Sequence, residues 1–227
     1  MKPFIGVVLR PEKTRGHNDV MVLYDAVRCA IVKYGGIPLC IIPPTMISYV
    51  DQTRKEVRRL TEEEEKDINC LLCLCKGVIL PGGDEIMDYD LYILEYCYQK
   101  KIPTLGICMG MQAMGLKFGG NVEPFSTNIN HKIKKSMYAH LIKIDYSSKL
   151  LKILKKSVIL VNSFHKCSVK HTTLDVVAKS EDGIIEAIED KNHPFFIGVQ
   201  WHPETMISYD IMSQRLFESF FQAVEKR

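Results

Sequence analysis

The fold is decided by one segment of this chain, Pro103-Thr-Leu-Gly-Ile-Cys108-Met-Gly-Met-Gln112. An apolar strand runs into a cysteine that lies between Gly106 and Gly110, and a helix-like segment follows at once. Such a sharp bend from strand to helix requires residues without side chains beside it, and it leaves the bend residue at the tip of the strand. The segment therefore predicts a nucleophile elbow that presents the thiol of Cys108.

Strands and helices alternate on both sides of this elbow. Hydrophobic patterning predicts strands at 4–9, 37–42, 77–80 and 103–107, and helices from Asn18 or Asp19 to 34, and at 62–75, 88–100 and 108–118. After residue 120, short strands are predicted at 138–144, 158–161, 174–179, 184–189 and 195–200, with helices at 148–154 and 209–224. The first half indicates an α/β fold with an open, mostly parallel sheet and helices on both faces, and the second half indicates a small antiparallel C-terminal extension.

Composition narrows the class of protein. The chain has 227 residues, of which 46% are hydrophobic and 25% charged, and this length suits one domain over 1–227. The net charge of +3 is small and the basic residues are scattered, so no nucleic-acid partner is predicted. The sequence shows no signal peptide and no apolar run long enough for a membrane span. We therefore expect a cytoplasmic protein whose eight cysteines are reduced.

A histidine and a carboxylate for the thiol are supplied downstream by Gly198-Val-Gln-Trp-His202-Pro-Glu204. Only a thiolate attacks efficiently, so Cys108 needs a partner that favours its ionised form. His202 is the predicted base and later the acid, and Glu204 is predicted to orient its ring. Because Pro203 disfavours a helix, the segment is expected to be extended, with His202 and Glu204 on the same side.

An amide-cleaving site also needs donors for the oxyanion of its tetrahedral intermediate. The predicted donors are the backbone N–H groups of Met109, directly after the nucleophile, and of Gly83 (or Gly82) in the loop after the third strand. Neighbouring parallel strands end at the same edge of a sheet, so this loop and the elbow are expected to meet in one crevice.

Four motifs occur in an order that resembles a known superfamily: Leu80-Pro-Gly-Gly83, the elbow, Val161-Asn-Ser-Phe-His165 and the His-Pro-Glu segment. They are similar to class I glutamine amidotransferases with their flavodoxin-like fold, and specifically to the gamma-glutamyl-gamma-aminobutyrate hydrolase branch. The resemblance covers nearly the whole chain. It implies a triad of Cys108, His202 and Glu204, a small-molecule gamma-glutamyl substrate, and no metal or organic cofactor.

The same resemblance implies which residues lie close to the bound gamma-glutamyl group. These are Gly82, Gln112, Ser163 and His165. Two positions depart from the branch: Met109 stands where arginine is usual, and the loop after Pro81-Gly-Gly is shorter than usual. Both changes alter the rim of the crevice, so the leaving amine is not carried over from the family.

The implied reaction is hydrolysis of a gamma-glutamyl amide through a thioester on Cys108, with release of glutamate and an amine. Two alternatives remain at this point: a glutaminase subunit that supplies ammonia to a separate synthase partner, and a non-catalytic binding or regulatory homologue. The oligomeric state is left open, with a homodimer as one option.

Two further groups of residues invite a metal interpretation and are predicted to be structural. Cys70, Cys73 and Cys75 lack a second cluster that would complete four ligands, and the helical period around them favours core packing. The remaining histidines considered, His131, His140, His171 and His193, are expected on loops or strand surfaces, and the border of the crevice is an alternative position for His131.

Overall fold

The computed structural model of the protein describes residues 1–50, 58–133 and 137–227. The strands are β1 (Phe4–Val8), β2 (Arg10–Lys13), β3 (Asp19–Val22), β4 (Ile37–Ile41), β5 (Cys75–Leu80), β6 (Thr104–Ile107), β7 (Asn121–Pro124), β8 (His140–Ile144), β9 (Val158–Val161), β10 (Cys167–His171), β11 (Asp175–Ser180), β12 (Ile185–Glu189) and β13 (Phe196–Val199). The helices are α1 (Asp25–Lys33), α2 (Glu62–Leu72), α3 (Asp88–Gln99), α4 (Met109–Lys117), α5 (Lys149–Leu154) and α6 (Ile211–Glu225), and a 3-10 turn spans Pro203–Thr205.

A nine-stranded sheet organises the molecule, in the order β4-β1-β5-β6-β13-β12-β11-β8-β9. The first five of these strands are parallel to one another, and the remaining pairs are antiparallel. The predicted mostly parallel α/β fold is confirmed. The antiparallel strands continue the main sheet beyond β13, because β12 pairs directly with it. Two separate ribbons, β2-β3 and β7-β10, were not predicted.

Helices cover both faces of the sheet, since alternate strand residues contribute to different apolar layers. On β5, Ile79 packs in the layer that holds α1, α5 and α6, whereas Val78 and Leu80 pack in the layer of α2, α3 and α4. Successive side chains of a strand point to opposite faces, so a strand buried on both sides is apolar throughout. Residues 77–80 are fully or almost fully buried, as this arrangement requires.

The predicted helix from Asn18 or Asp19 to residue 34 is wrong in its first part. Residues 19–22 form β3, which pairs antiparallel with β2 from Lys13↔Asp19 to Arg10↔Val22, and α1 begins only at Asp25. The turn between the two strands is closed by His17, which adopts φ 61°, and by a hydrogen bond from the Thr14 N–H to the Asn18 carbonyl. Pairing with β2 therefore overrides the helical signal of this segment.

The helix capped by Thr61 is confirmed at its start and shorter than predicted at its end. Thr61 accepts a hydrogen bond from the Glu64 N–H, and Glu64 returns one to the Thr61 N–H, which is a capping box. The helix ends at Leu72, so Cys75 belongs to β5 and is buried. Cys70 and Cys73 are exposed, and their expected packing in the core is therefore wrong.

The elbow depends on a close approach between α4 and β5. A Cβ atom placed on Gly110 would lie 2.0 Å from the Leu80 carbonyl oxygen, and one on Gly106 would lie 2.9 Å from the Gly110 backbone. Neither distance can be accommodated by rotating a side chain, because the obstructing atoms belong to the backbone. Glycine at position 110 is what lets α4 start directly above the end of the sheet.

Within the described ranges, no helix is both long enough and apolar enough to cross a lipid bilayer.

We expect Gly110→Ala to lower the free energy of unfolding by about 3 kcal/mol, because the added methyl group must displace the backbone of β5 or α4. Urea denaturation followed by circular dichroism measures this change. Gly16→Ala is the matched control, since a Cβ there meets nothing closer than 3.9 Å and should leave stability nearly unchanged. Equal stability of the two variants would contradict the proposed constraint.

Candidate active site

Cys108 lies between the end of β6 and the first residue of α4, as the elbow motif predicts. Its backbone adopts φ 51° and ψ −107°, and its N–H donates to the Val199 carbonyl at 2.8 Å. Positive φ is strained for a residue with a side chain and persists only where the surroundings impose it. The cysteine is 5% exposed, so the thiol lies at the bottom of a depression.

His202 and Glu204 lie beyond the end of β13, the strand next to β6. The His202 Nδ1 and Glu204 Oε1 atoms are 2.8 Å apart, and Glu204 is 6% exposed. The expected extended conformation is wrong, since Pro203–Thr205 is a 3-10 turn. Proline is well accommodated in the first turn of a helix, where its missing N–H would have no partner. The turn brings the carboxylate back onto the imidazole.

The other side of the His202 ring faces Cys108. A Cβ atom placed on Gly82 would lie 2.8 Å from His202 Cε1 and 3.6 Å from Cys108 Cβ, so the two side chains converge beside this glycine. Burial lowers the pKa of His202, but the charges of Glu204 and of the Cys108 thiolate outweigh it and hold that pKa well above its usual value. The site therefore favours a protonated His202.

Asn162 fixes the backbone of His202 from both sides. Its Oδ1 accepts from the His202 N–H at 2.8 Å, and its Nδ2 donates to the His202 carbonyl at 3.1 Å. The same Nδ2 donates to Thr205 Oγ1 at 2.9 Å. Asn162 belongs to a motif that the sequence analysis singled out, but its role was not predicted, because the contact joins residues 40 positions apart.

The loop after β5 is held in place by Arg10. The guanidinium donates to the Pro81 carbonyl at 3.2 Å and 2.9 Å and to Asp90 Oδ1 at 2.5 Å, and Arg10 is 1% exposed. Asp90 in turn accepts from the Met87 N–H. A buried ion pair with several hydrogen bonds fixes geometry more than it adds stability. Arg10 was not identified from the sequence, because only the folded chain brings it to this loop.

The two predicted oxyanion donors are available. Among the described residues, the backbone N–H groups of Gly83 and Met109 donate to no protein acceptor. Gly83 approaches Met109 closely, since a Cβ on Gly83 would lie 3.0 Å from Met109 Cε. The loop and the elbow thus meet at one edge of the sheet, as the parallel arrangement predicted.

Two glutamines form a chain of polar contacts that ends at the Cys108 sulfur. Gln112 Nε2 donates to the Cys167 carbonyl at 2.8 Å and to Gln200 Oε1 at 3.2 Å, and Gln200 Nε2 lies 3.5 Å from Cys108 Sγ. Gln112 was predicted to be near the substrate and lines the cavity. Gln200 was missed, although it stands two residues before His202 and therefore on the same strand end.

Ser163 and His165 are placed differently from the other predicted residues. The Ser163 hydroxyl donates to the His131 carbonyl at 2.8 Å, so it is turned away from the cavity. His165 borders the cavity, but its side chain is buried, with Nδ1 3.0 Å from the Cys167 carbonyl and Nε2 directed at Glu186. His165 therefore forms part of the cavity wall, whereas the Ser163 hydroxyl is hydrogen-bonded away from the cavity.

Loops or strand surfaces were expected for the other histidines. His131 and His193 lie in loops, as expected, although they are buried at 3% and 0% exposed. His140 begins β8 and is 6% exposed, so the strand-surface position expected for it is wrong. His171 is exposed, as expected.

A cavity of about 650 Å³ opens above Cys108. Its floor is formed by Cys108, His202, Gly82 and Gly83, and its rim carries charges of both signs from Asp25, Asp84, Lys132 and Lys166. A volume of this size suits a small molecule.

Known proteins have similar sequences over most of their length. The chain is 27% identical to gamma-glutamyl-gamma-aminobutyrate hydrolase PuuD of Escherichia coli, over 98% of this chain and 94% of that protein. It is 30% identical to a glutamine amidotransferase-like protein of Rickettsia prowazekii, over 86% of each chain.

Solved structures with low sequence identity show the same fold. The glutaminase domain of Trypanosoma brucei CTPS superposes with a TM-score of 0.68 at 18% identity, covering 100% of this chain and 95% of that one. A glutamine amidotransferase from Thermotoga maritima gives 0.63 at 14% identity over 99% of both chains. The family model of Peptidase C26 matches residues 3–204, a range that contains the elbow and the His-Pro-Glu segment, and the chain therefore belongs to the Peptidase C26 family.

Proposed function

We propose that the protein is a cysteine-dependent hydrolase of gamma-glutamyl amides, with Cys108, His202 and Glu204 as its catalytic triad. One observation carries the proposal: the positive-φ cysteine and the Glu204-bound His202 converge beside Gly82 at the floor of a small cavity. The similarity to PuuD over nearly the whole chain supports the same class of substrate.

The first half of the proposed reaction is acyl transfer to sulfur. The Cys108 thiolate attacks the gamma-carbonyl carbon, and the resulting oxyanion is stabilised by the Gly83 and Met109 N–H groups. His202 then donates its proton to the amine nitrogen as the C–N bond breaks. A gamma-glutamyl thioester and a neutral amine result, and His202 is left neutral.

The second half is hydrolysis of the thioester. Neutral His202 removes a proton from water, and the resulting hydroxide attacks the thioester carbon. The C–S bond breaks, glutamate leaves, and the thiolate and the imidazolium are restored. Glu204 keeps the Nδ1–H of His202 in place throughout, so that Nε2 always faces the reacting atoms.

The rim of the cavity suits the zwitterionic head of a gamma-glutamyl group. Such a head carries one carboxylate and one ammonium on the same carbon, and the rim offers Lys166 for the first and Asp84 for the second. Electrostatic complementarity of this kind selects a ligand and sets its orientation. The gamma-carbonyl would then extend down to Cys108.

The test of the function is release of glutamate from a panel of glutamine, gamma-glutamyl-GABA and gamma-glutamyl peptides by the purified chain alone. Cys108→Ala should lower kcat by at least about 10⁴-fold with an unchanged circular dichroism spectrum, because it removes the sulfur that forms the thioester at the elbow. Cys40→Ala, on an exposed edge strand, should behave as the wild type. Full activity of Cys108→Ala would disprove the mechanism.

The same assay distinguishes the alternative functions. Activity that appears only with an added synthase would favour the glutaminase-subunit alternative, and no activity in any setting would favour a non-catalytic homologue.

The charge of Glu204 gives a pH prediction. Because this carboxylate raises the pKa of His202, Glu204→Gln should lower that pKa, and the imidazolium needed to protonate the amine should be lost at lower pH. We expect the alkaline limb of the kcat/KM profile to move toward acid. If the alkaline limb did not move, the ionisation that it reports would belong to a group other than His202.

Lys166 tests the orientation of the substrate. Lys166→Ala should raise KM for gamma-glutamyl substrates about tenfold, equivalent to about 1.4 kcal/mol, with little change in kcat. Lys170→Ala, on β10 and exposed, is the control. An unchanged KM for Lys166→Ala would place the substrate carboxylate elsewhere.

A further inference from the structure

Three histidines and one glutamate meet inside the antiparallel half of the molecule. His131 lies between β7 and β8, His140 begins β8, His165 lies between β9 and β10, and Glu186 belongs to β12. Their potential ligand atoms all lie within 4.8 Å of one another. The four side chains are at most 4% exposed. Four separate elements therefore build one closed cluster, which we call the His131–Glu186 cluster.

The cluster contains a carboxylate that lacks a well-formed hydrogen bond. Among the described residues, neither oxygen of Glu186 has a hydrogen-bond partner, and Nδ1 of His131 and Nε2 of both His140 and His165 contact Glu186 without forming a hydrogen bond. Glu186 is fully buried. A buried carboxylate is costly unless a positive charge lies against it, and orphaned buried polar atoms are rare. A cation between these atoms would supply that charge.

The outer nitrogens of the three rings are already engaged. His131 Nε2 lies 2.9 Å from Asp182 Oδ2, His165 Nδ1 lies 3.0 Å from the Cys167 carbonyl, and His140 Nδ1 lies 3.3 Å from the Leu141 carbonyl. These partners accept hydrogen bonds, so each outer nitrogen carries a hydrogen, and in a neutral ring the inner nitrogen presents a lone pair. A carboxylate or carbonyl on the far nitrogen is the usual second contact of a histidine that binds a metal.

The inner distances distinguish a metal ion from protons. Glu186 Oε1 is 3.3 Å from His131 Nδ1, 3.5 Å from His140 Nε2 and 3.6 Å from His165 Nε2. Hydrogen bonds from imidazolium to carboxylate are shorter, at about 2.7–2.9 Å. Ligand atoms about 2.0–2.1 Å from a tetrahedral zinc ion are separated from one another by about 3.3–3.4 Å. The three distances from Glu186 Oε1 to the histidine nitrogens match edges of such a tetrahedron.

We propose that His131, His140, His165 and Glu186 bind one zinc ion in a closed, four-coordinate site. Imidazole nitrogens suit zinc, and four protein ligands leave no position for a water molecule, which is the pattern of a structural site. The site was not anticipated from the sequence, and it departs from the expectation of no metal. It goes beyond the proposed hydrolase activity, which needs no metal.

The proposed zinc would stabilise the wall of the cavity. The Cys167 carbonyl accepts from His165 in the cluster and from Gln112 in the cavity. The Glu186 carbonyl accepts from the Gln200 N–H, and Gln200 reaches Cys108 Sγ. A metal that fixes His165 and Glu186 thus fixes the supports of the nucleophile without touching substrate.

The experiment measures zinc by elemental analysis in the purified full chain, before and after removal with a strong chelator and after addition of one equivalent of Zn²⁺. We expect about one zinc ion per chain before removal or after addition, and a lower Tm for the metal-free protein. Glu186→Gln and His140→Ala should each retain less than about a tenth of an equivalent. His171→Ala, outside the cluster and exposed, should retain the full amount.

Two controls separate this site from other zinc ligands. Cys108→Ala should keep its zinc, which excludes the catalytic cysteine as the ligand. Bound Co²⁺ should give the visible bands of a tetrahedral site without a sulfur charge-transfer band, which excludes the exposed Cys70 and Cys73. Metal-free wild-type protein that is folded and takes up no Zn²⁺ would overturn the proposal, even if the cluster variants do not fold. Equal zinc content in wild type and both cluster variants would overturn it too.

Discussion

The position of β6 between β5 and β13, parallel to both, is the constraint on which the site depends. Gly106 pairs with Leu80 on one side and with Gly198 on the other. All three strands consequently end at the same edge, where β6 continues into Cys108, β5 into the Pro81-Gly-Gly loop and β13 into His202. Ligands of open α/β sheets bind at this edge for the same topological reason. A shift of one residue in either pairing would separate the thiol from the imidazole or from the N–H groups of the loop.

The elements that the sequence predicted well are those specified by local chemistry. The elbow needs glycines beside a cysteine, and the capping box at Thr61 needs a glutamate three residues later, so both are visible in a short window. The prediction of a helix from Asn18 was wrong because β2, which begins nine residues before β3, competes with the helical signal as a strand partner. The prediction of an extended segment at Pro203 was wrong because proline is excluded from the interior of a helix but suits its start.

The supports of the candidate site could not be predicted, because they join residues that are distant in sequence. Arg10 reaches Pro81, Asn162 reaches His202, and Gln200 reaches Cys108, and none of these spacings is a motif. The His131–Glu186 cluster is the extreme case. Its members lie on two loops and two strands. The strand order β12-β11-β8 and an antiparallel β-bridge between Lys132 and Phe164 bring them together. Histidines without a local spacing pattern were therefore expected on loops or strand surfaces, whereas His131, His140 and His193 are buried in the fold.

The depth of the Cys108 sulfur limits which molecules can reach it. Cys108 is 5% exposed, at the bottom of a cavity whose walls come from both sides of the sheet edge. A main-chain amide within a folded polypeptide carries bulk in both directions, whereas a group at the end of an unbranched three-carbon arm is narrow. The depth of Cys108 therefore favours slender ligands over a folded polypeptide chain.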